Sequence, residues 1–104
     1  MNKPNPHWTF LTNHAQVLLC IADNRRITAR DIALRVGITE RAVQRIIADL
    51  ETSGYIRRHR EGRGNVYDID PDARMRHPAQ RGFRIRELLY LLPPDDESEP
   101  FQIV

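Results

Sequence analysis

Thr28-Ala-Arg-Asp-Ile-Ala-Leu-Arg-Val-Gly-Ile-Thr-Glu-Arg-Ala-Val-Gln-Arg-Ile-Ile47 holds two short amphipathic runs joined through a glycine. Two helices cross closely only where small or apolar side chains meet and the turn between them can take a left-handed backbone angle. Ala33 lies four residues before Gly37, which ends the first run where a residue without a Cβ costs least. Ile32, Val36 and Ile38 seal the turn, and Val43, Ile46, Ile47 and Leu50 recur at i, i+3, i+4, i+7 as one apolar stripe. Both helix starts are marked. Thr28 with Asp31 has the spacing of a capping box, and Thr39 can cap the second helix through its hydroxyl. Ala42 stands where a second box would want Glu or Gln, so that cap is half made.

The stripe opposite the apolar one carries the chemistry. Arg41, Gln44, Arg45 and Ala48 also recur at i, i+3, i+4, i+7, with Glu40 beside them. Arginine can pair two donors with guanine O6 and N7, and glutamine can bond adenine N6 and N7, so this face holds both main readers of the DNA major groove. Small Ala48 lets such a helix sit close. Arg, Gln and Glu are also good helix formers on any solvated surface, but here they follow a tight inter-helix turn. Glu40 has two readings: it suits a helix N-terminus electrostatically, and near DNA it repels phosphate unless it accepts from a cytosine amino group.

At 104 residues the chain is expected to form one domain, too short for a separate sensor domain. Its net charge is only +2, but four of the acidic residues, Asp95, Asp96, Glu97 and Glu99, lie near the end. Residues 1–94 hold sixteen basic against ten acidic groups, a formal +6 that suits a polyanionic partner. Cys20 is the single cysteine, which excludes an intrachain disulfide and a cysteine-based zinc cluster. Its place in Val17-Leu-Leu-Cys-Ile-Ala22 reads as a small buried thiol rather than a redox sensor. No basic-then-apolar leader opens the chain, and no apolar run approaches the roughly 18 residues of a membrane span. The expected location is the cytoplasm.

Outward from the central stretch, residues 1–11 read as an N-terminal arm in which Trp8, Phe10 and Leu11 are the first to pack. Asn13 with Gln16 offers a cap for a first helix running to about Asp23, and Arg26-Ile-Thr28 can give a very short strand. The third helix is expected from about Glu40 to Thr52, stopping at Gly54. Tyr55-Ile-Arg-Arg-His-Arg60 and Asn65-Val-Tyr-Asp-Ile-Asp70 flank Glu61-Gly-Arg-Gly64, a hairpin signal. The two-residue period puts Tyr67 and Ile69 on the face toward the helices, with Arg58, Arg60 and Arg63 projecting at the tip.

Three helices followed by a basic hairpin resemble the winged helix-turn-helix family, in particular its small MarR-like and Lrp-like bacterial regulators. Ala33, Gly37, Val43 and Ile46 match the family's marker positions in type and spacing, and Ser53-Gly-Tyr-Ile-Arg57 looks like its usual helix-to-wing junction. The resemblance covers about residues 12–70. It implies a mainly α fold with a small β-hairpin (α+β), a three-helix core plus wing and a C-terminal helix. It also implies a sequence-specific regulator of transcription acting on double-stranded DNA, with the helix at about residues 39–53 in the major groove. The wing, about residues 55–70, would lie on the backbone or minor groove. By that resemblance Arg41, Gln44 and Arg45 go to bases and Arg58, Arg60 and Arg63 to phosphates, and the DNA-binding set is completed by Thr28, Thr39 and Glu40. The departure is at the C-terminus, where MarR-like proteins carry a longer helical dimerisation region.

Residues 71–94 read as a linker and a terminal helix on which Ile85, Leu88, Leu89 and Leu92 make one stripe while Tyr90 and Leu91 point elsewhere. A helix apolar on more than one side needs more than its own small domain to cover it, so this stripe is expected to form a homodimer interface. The other reading is an ordinary helix closing the core. Residues 95–104 form an acidic tail, in which Phe101, Ile103 and Val104 could dock on a neighbour.

No catalytic constellation is expected. His7, His14, His59 and His77 are scattered, the lone cysteine has no evident base, and Gly62-Arg-Gly64 lacks the Lys and helix of a phosphate loop. Asp68, Asp70 and Asp72 read as a solvated strand edge before a cation site, so neither metal nor cofactor is called for. The alternative function is a winged-helix module that binds protein without specific DNA binding. RNA is disfavoured because the basic face lacks aromatics for stacking unpaired bases. No residue pattern identifies an effector pocket.

Overall fold

The computed structural model describes residues 8–91. Leu92, the acidic tail and residues 1–7 of the arm lie outside them. Helices α1 (Asn13–Asp23), α2 (Ala29–Val36) and α3 (Glu40–Thr52) lead into a hairpin of β1 (Ile56–Glu61) and β2 (Gly64–Ile69). A 3₁₀ turn, Pro78–Gln80, and α4 (Ile85–Leu91) follow.

Each helix of the trio starts on a threonine. Thr12 Oγ1 accepts from the Ala15 N–H, Thr28 Oγ1 from Asp31 and Thr39 Oγ1 from Ala42. The cap of α1 is therefore Thr12 and not Asn13, which is itself helical; the hydroxyl three residues before a free N–H outcompetes the amide beside it. The stops are equally local. Gly37 takes φ +85°, and the Ala33 carbonyl accepts from both Gly37 and Ile38 N–H. Gly54, at φ +84°, ends α3 with Tyr55 N–H bonded back to the Leu50 carbonyl and Gly54 N–H to Glu51. That six-residue closure needs a left-handed residue, which a side chain would strain.

The four apolar positions of α3 are all buried, Val43 and Ile47 almost completely, and they pack with Val17, Leu18, Cys20 and Ile21 of α1 and Ile32 and Ala33 of α2. Burying one such Val or Ile contributes about 1.5–3 kcal/mol relative to exposing it, so this cluster is what fixes the angle at which α3 is presented. The hairpin is antiparallel with Ile56 opposite Ile69 and Glu61 opposite Gly64, leaving only Gly62 and Arg63 as the turn. Positive φ occurs at Gly62 alone, the arrangement of a type II′ turn. Tyr67 and Ile56 join the core and Ile69 packs against it, as the period of two predicts, while Val66 on the other face is buried outside that cluster.

Besides the α1 cap, the chain corrects the expectation at four places. Arg26-Ile-Thr28 forms no strand; the Arg25 carbonyl alone takes the Tyr67 N–H at 3.0 Å, so one residue serves where a strand was expected. Trp8 and Phe10 are 66% and 90% exposed, packed edge to face on each other with ring centroids 5.2 Å apart, and only Leu11 is half-buried. Residues 71–84, up to the start of α4, form a tied-down loop around the 3₁₀ turn rather than a plain linker. It is stitched by Ile85 N–H to the Ala73 carbonyl, Arg86 N–H to Pro71 and a bridge between Arg74 and Arg84. Lastly, Ile85 is buried at 5% exposure in the chain's own core with Leu89 packed beside it, so this part of the expected interface stripe closes the core instead.

Candidate nucleic-acid interface

Because α3 commits one stripe to the core, its opposite stripe is held outward. Glu40, Arg41, Gln44, Arg45 and Ala48 are all exposed. Among the described residues, Arg41, Gln44 and Arg45 make no side-chain hydrogen bond or ion pair, which leaves their donors available to an incoming ligand. Glu40 occupies the first turn of α3, where a carboxylate interacts favourably with the helix N-terminus. The Thr28 and Thr39 oxygens each accept one cap bond, which leaves the hydroxyl proton free to donate to an acceptor such as a phosphate oxygen.

The wing arginines divide. Arg60 and Arg63 are exposed and unpaired among the described residues, whereas Arg58 donates to Glu51 Oε1 at 3.1 Å, tying β1 to the last turn of α3. Sequence reasoning missed Arg57 and Arg30, both exposed and unpaired in the same sense. Alternation along β1 would have separated Arg57 from Arg58 and Arg60, and Arg30 stands two residues past a marked helix start. It also missed Arg25 and Arg26. Arg25 Nε donates to the Tyr67 carbonyl at 3.3 Å and its guanidinium pairs with Asp68, while Arg26 donates to Glu61 at 2.6 Å. No local signal announces such pairs, since their partners lie 35 to 43 residues away.

The hydrogen bond from Arg26 is the main reason the Glu61 carboxyl titrates below its ordinary value of 4.5, with the charges of Arg26, His59 and Arg25 acting in the same direction. A group whose pKa is lowered on folding contributes stability that is present above the unfolded value and lost as pH falls through the folded one. Carbon-detected NMR titration of Glu61 is therefore expected to give a midpoint below 4.5, and Arg26→Gln to move it upward. An unchanged midpoint in that variant would show that Arg26 does not hold the wing tip. Elsewhere, burial pushes the Cys20 thiol up, which keeps it protonated and unreactive at neutral pH.

Among the described residues no group of three or more His, Cys, Asp or Glu could hold a metal ion, and no described helix is long and apolar enough to cross a membrane. Three helices with a tight α2–α3 turn, followed by a two-stranded hairpin, make this fold a winged helix-turn-helix. Residues 12–57, from the α1 cap to the start of the wing, match the family described as winged helix-turn-helix DNA-binding. The chain is also similar to a solved structure from Listeria innocua described as a candidate transcriptional regulator. The identity is 15% and the TM-score 0.49, over 88% of this chain and 90% of that one. Comparison with curated proteins finds no match.

Proposed function

We propose that the chain is a sequence-specific, double-stranded DNA-binding regulator of transcription, of the small MarR-like or Lrp-like kind, acting in the cytoplasm as a homodimer. The observation that carries this reading is the outward stripe of α3, where Arg41, Gln44 and Arg45 stand exposed and, among the described residues, unpaired on a helix whose other stripe is locked in the core. Arg41, Gln44 and Arg45 would read base edges in the major groove, with Glu40 at the helix start and the hydroxyls of Thr28 and Thr39 within reach of the backbone. Arg60 and Arg63 of the wing would meet phosphates in the backbone or minor groove. Two copies would place their α3 helices on half-sites roughly 34 Å apart or a multiple of it. The dimer surface would use the open side of α4 with Phe83 just before it: Phe83, Tyr90 and Leu91 are 53%, 86% and 71% exposed, and Leu88 is half-buried.

That same apolar surface favours the second reading, a module that docks on another protein and has no specific DNA affinity. Fluorescence titration of the chain against duplexes from its own upstream region and against a random duplex, at two salt concentrations, separates the two. The regulator binds both duplexes at low salt and retains a preference for the upstream DNA at high salt. Absence of binding to either at low salt would sink the DNA reading.

A further inference from the structure

Five arginines of the described residues are held by carboxylates: Arg25, Arg26, Arg35, Arg58 and Arg86. Of the wing's own arginines, only Arg58 is among them. Its partner, Glu51, sits in the last turn of α3, beyond Arg41, Gln44 and Arg45. Both side chains are about two-thirds covered, at 36% and 31% exposure, and joined at 3.1 Å. The alternation of β1 explains why they meet. Arg58 shares a strand face with buried Ile56 and stands opposite buried Tyr67, so its stem runs along the side of the hairpin that packs on the helices. Arg60 and Arg63, nearer the turn, make no ion pair among the described residues.

A guanidinium donates to a carboxylate and to a phosphate through the same fork of N–H groups, so the two acceptors compete for it. We propose that Glu51 is a specificity-determining residue: its carboxylate withholds Arg58 from DNA phosphates and so keeps affinity for random sequence low. This rests on the DNA-binding reading above. Withholding one cation removes one sequence-independent contact and leaves the base-reading stripe of α3 untouched, which raises the ratio of specific to non-specific binding.

The test is the salt dependence of binding to a labelled random duplex by the full chain. Each phosphate neutralised steepens the slope of log K against log salt by about 0.9. Arg58→Gln is expected to leave the wild-type slope unchanged, whereas Arg63→Gln flattens it by about 0.9. Glu51→Gln, which frees Arg58, is expected to steepen the slope by about 0.9 and tighten random-duplex binding roughly two- to fivefold, the range of a partly exposed ion pair. The double variant Glu51→Gln/Arg58→Gln should return to the wild-type slope. Asp49→Asn supplies the control, because it removes an equal charge from α3 at a residue that pairs with His14 and holds no arginine. Flattening by Arg58→Gln alone, or equal slopes for Glu51→Gln and Asp49→Asn, would overturn the role of Glu51 while leaving DNA binding intact. A wild-type chain that binds no duplex overturns both.

Discussion

Replacing Arg45 with alanine is expected to leave the fold intact and to weaken binding to the preferred duplex by about 1–3 kcal/mol, roughly five- to more than a hundredfold. Arg45 is exposed and makes no ion pair or side-chain hydrogen bond among the described residues. Its removal therefore takes nothing from the core, and alanine is the better helix former. Stability should stay within about 0.5 kcal/mol of the parent. The informative part is the pattern of the loss. If Arg45 bonds a guanine edge, duplexes altered at one base pair of the half-site will bind the variant and the parent equally, while changes elsewhere still discriminate. Binding measured across a set of single-base duplexes checks this. Equal loss on specific and random DNA would mean that Arg45 touches only phosphate.

Ile47→Ala acts on the opposite side of the same helix, and its effect is of another kind. Ile47 is 1% exposed among residues of all three core helices, so its truncation is expected to cost about 2–5 kcal/mol, for the lost methyl groups and the cavity they leave. Small domains hold only about 5–15 kcal/mol in total, and at their size each kcal/mol lowers Tm by about 4–8 °C. A fall of some 10–30 °C in thermal melts is the expected result. Base preference should survive in the fraction that remains folded, because the exposed stripe is unaltered. A cost below about 1 kcal/mol would mean that α3 is not anchored through Ile47.

These two substitutions also mark what was legible beforehand. The bounds of α3 and the division between its stripes followed from Val43, Ile46, Ile47 and Leu50, because a helix period and a glycine stop are local properties of a chain. The hairpin was legible for the same reason, from a glycine turn between β-prone runs. What escaped depends on neighbours remote in sequence. The Arg58–Glu51 pair, the grip of Arg25 and Arg26 on the wing, and the closing of the core by Ile85 each need the tertiary fold before the partners meet. Trp8 and Phe10 erred the other way: large aromatic rings suggest burial, yet they precede the first cap, stay exposed and pack edge to face on each other.

The bond from the Tyr67 N–H to the Arg25 carbonyl joins residues 42 positions apart. A lone two-stranded hairpin is marginally stable at best in water. Here its outer strand is buckled to the connection between the first two helices by one backbone bond, and the guanidinium of the same residue reinforces it. The wing therefore cannot persist as an autonomous unit while the helices are unfolded. Wing and helices are thereby tied into one cooperative unit, in which the hairpin's order depends on the helices being in place. Because β2 already spends this outward amide on Arg25, that position is also closed to strand addition by a foreign chain, a protection that a bare edge would lack.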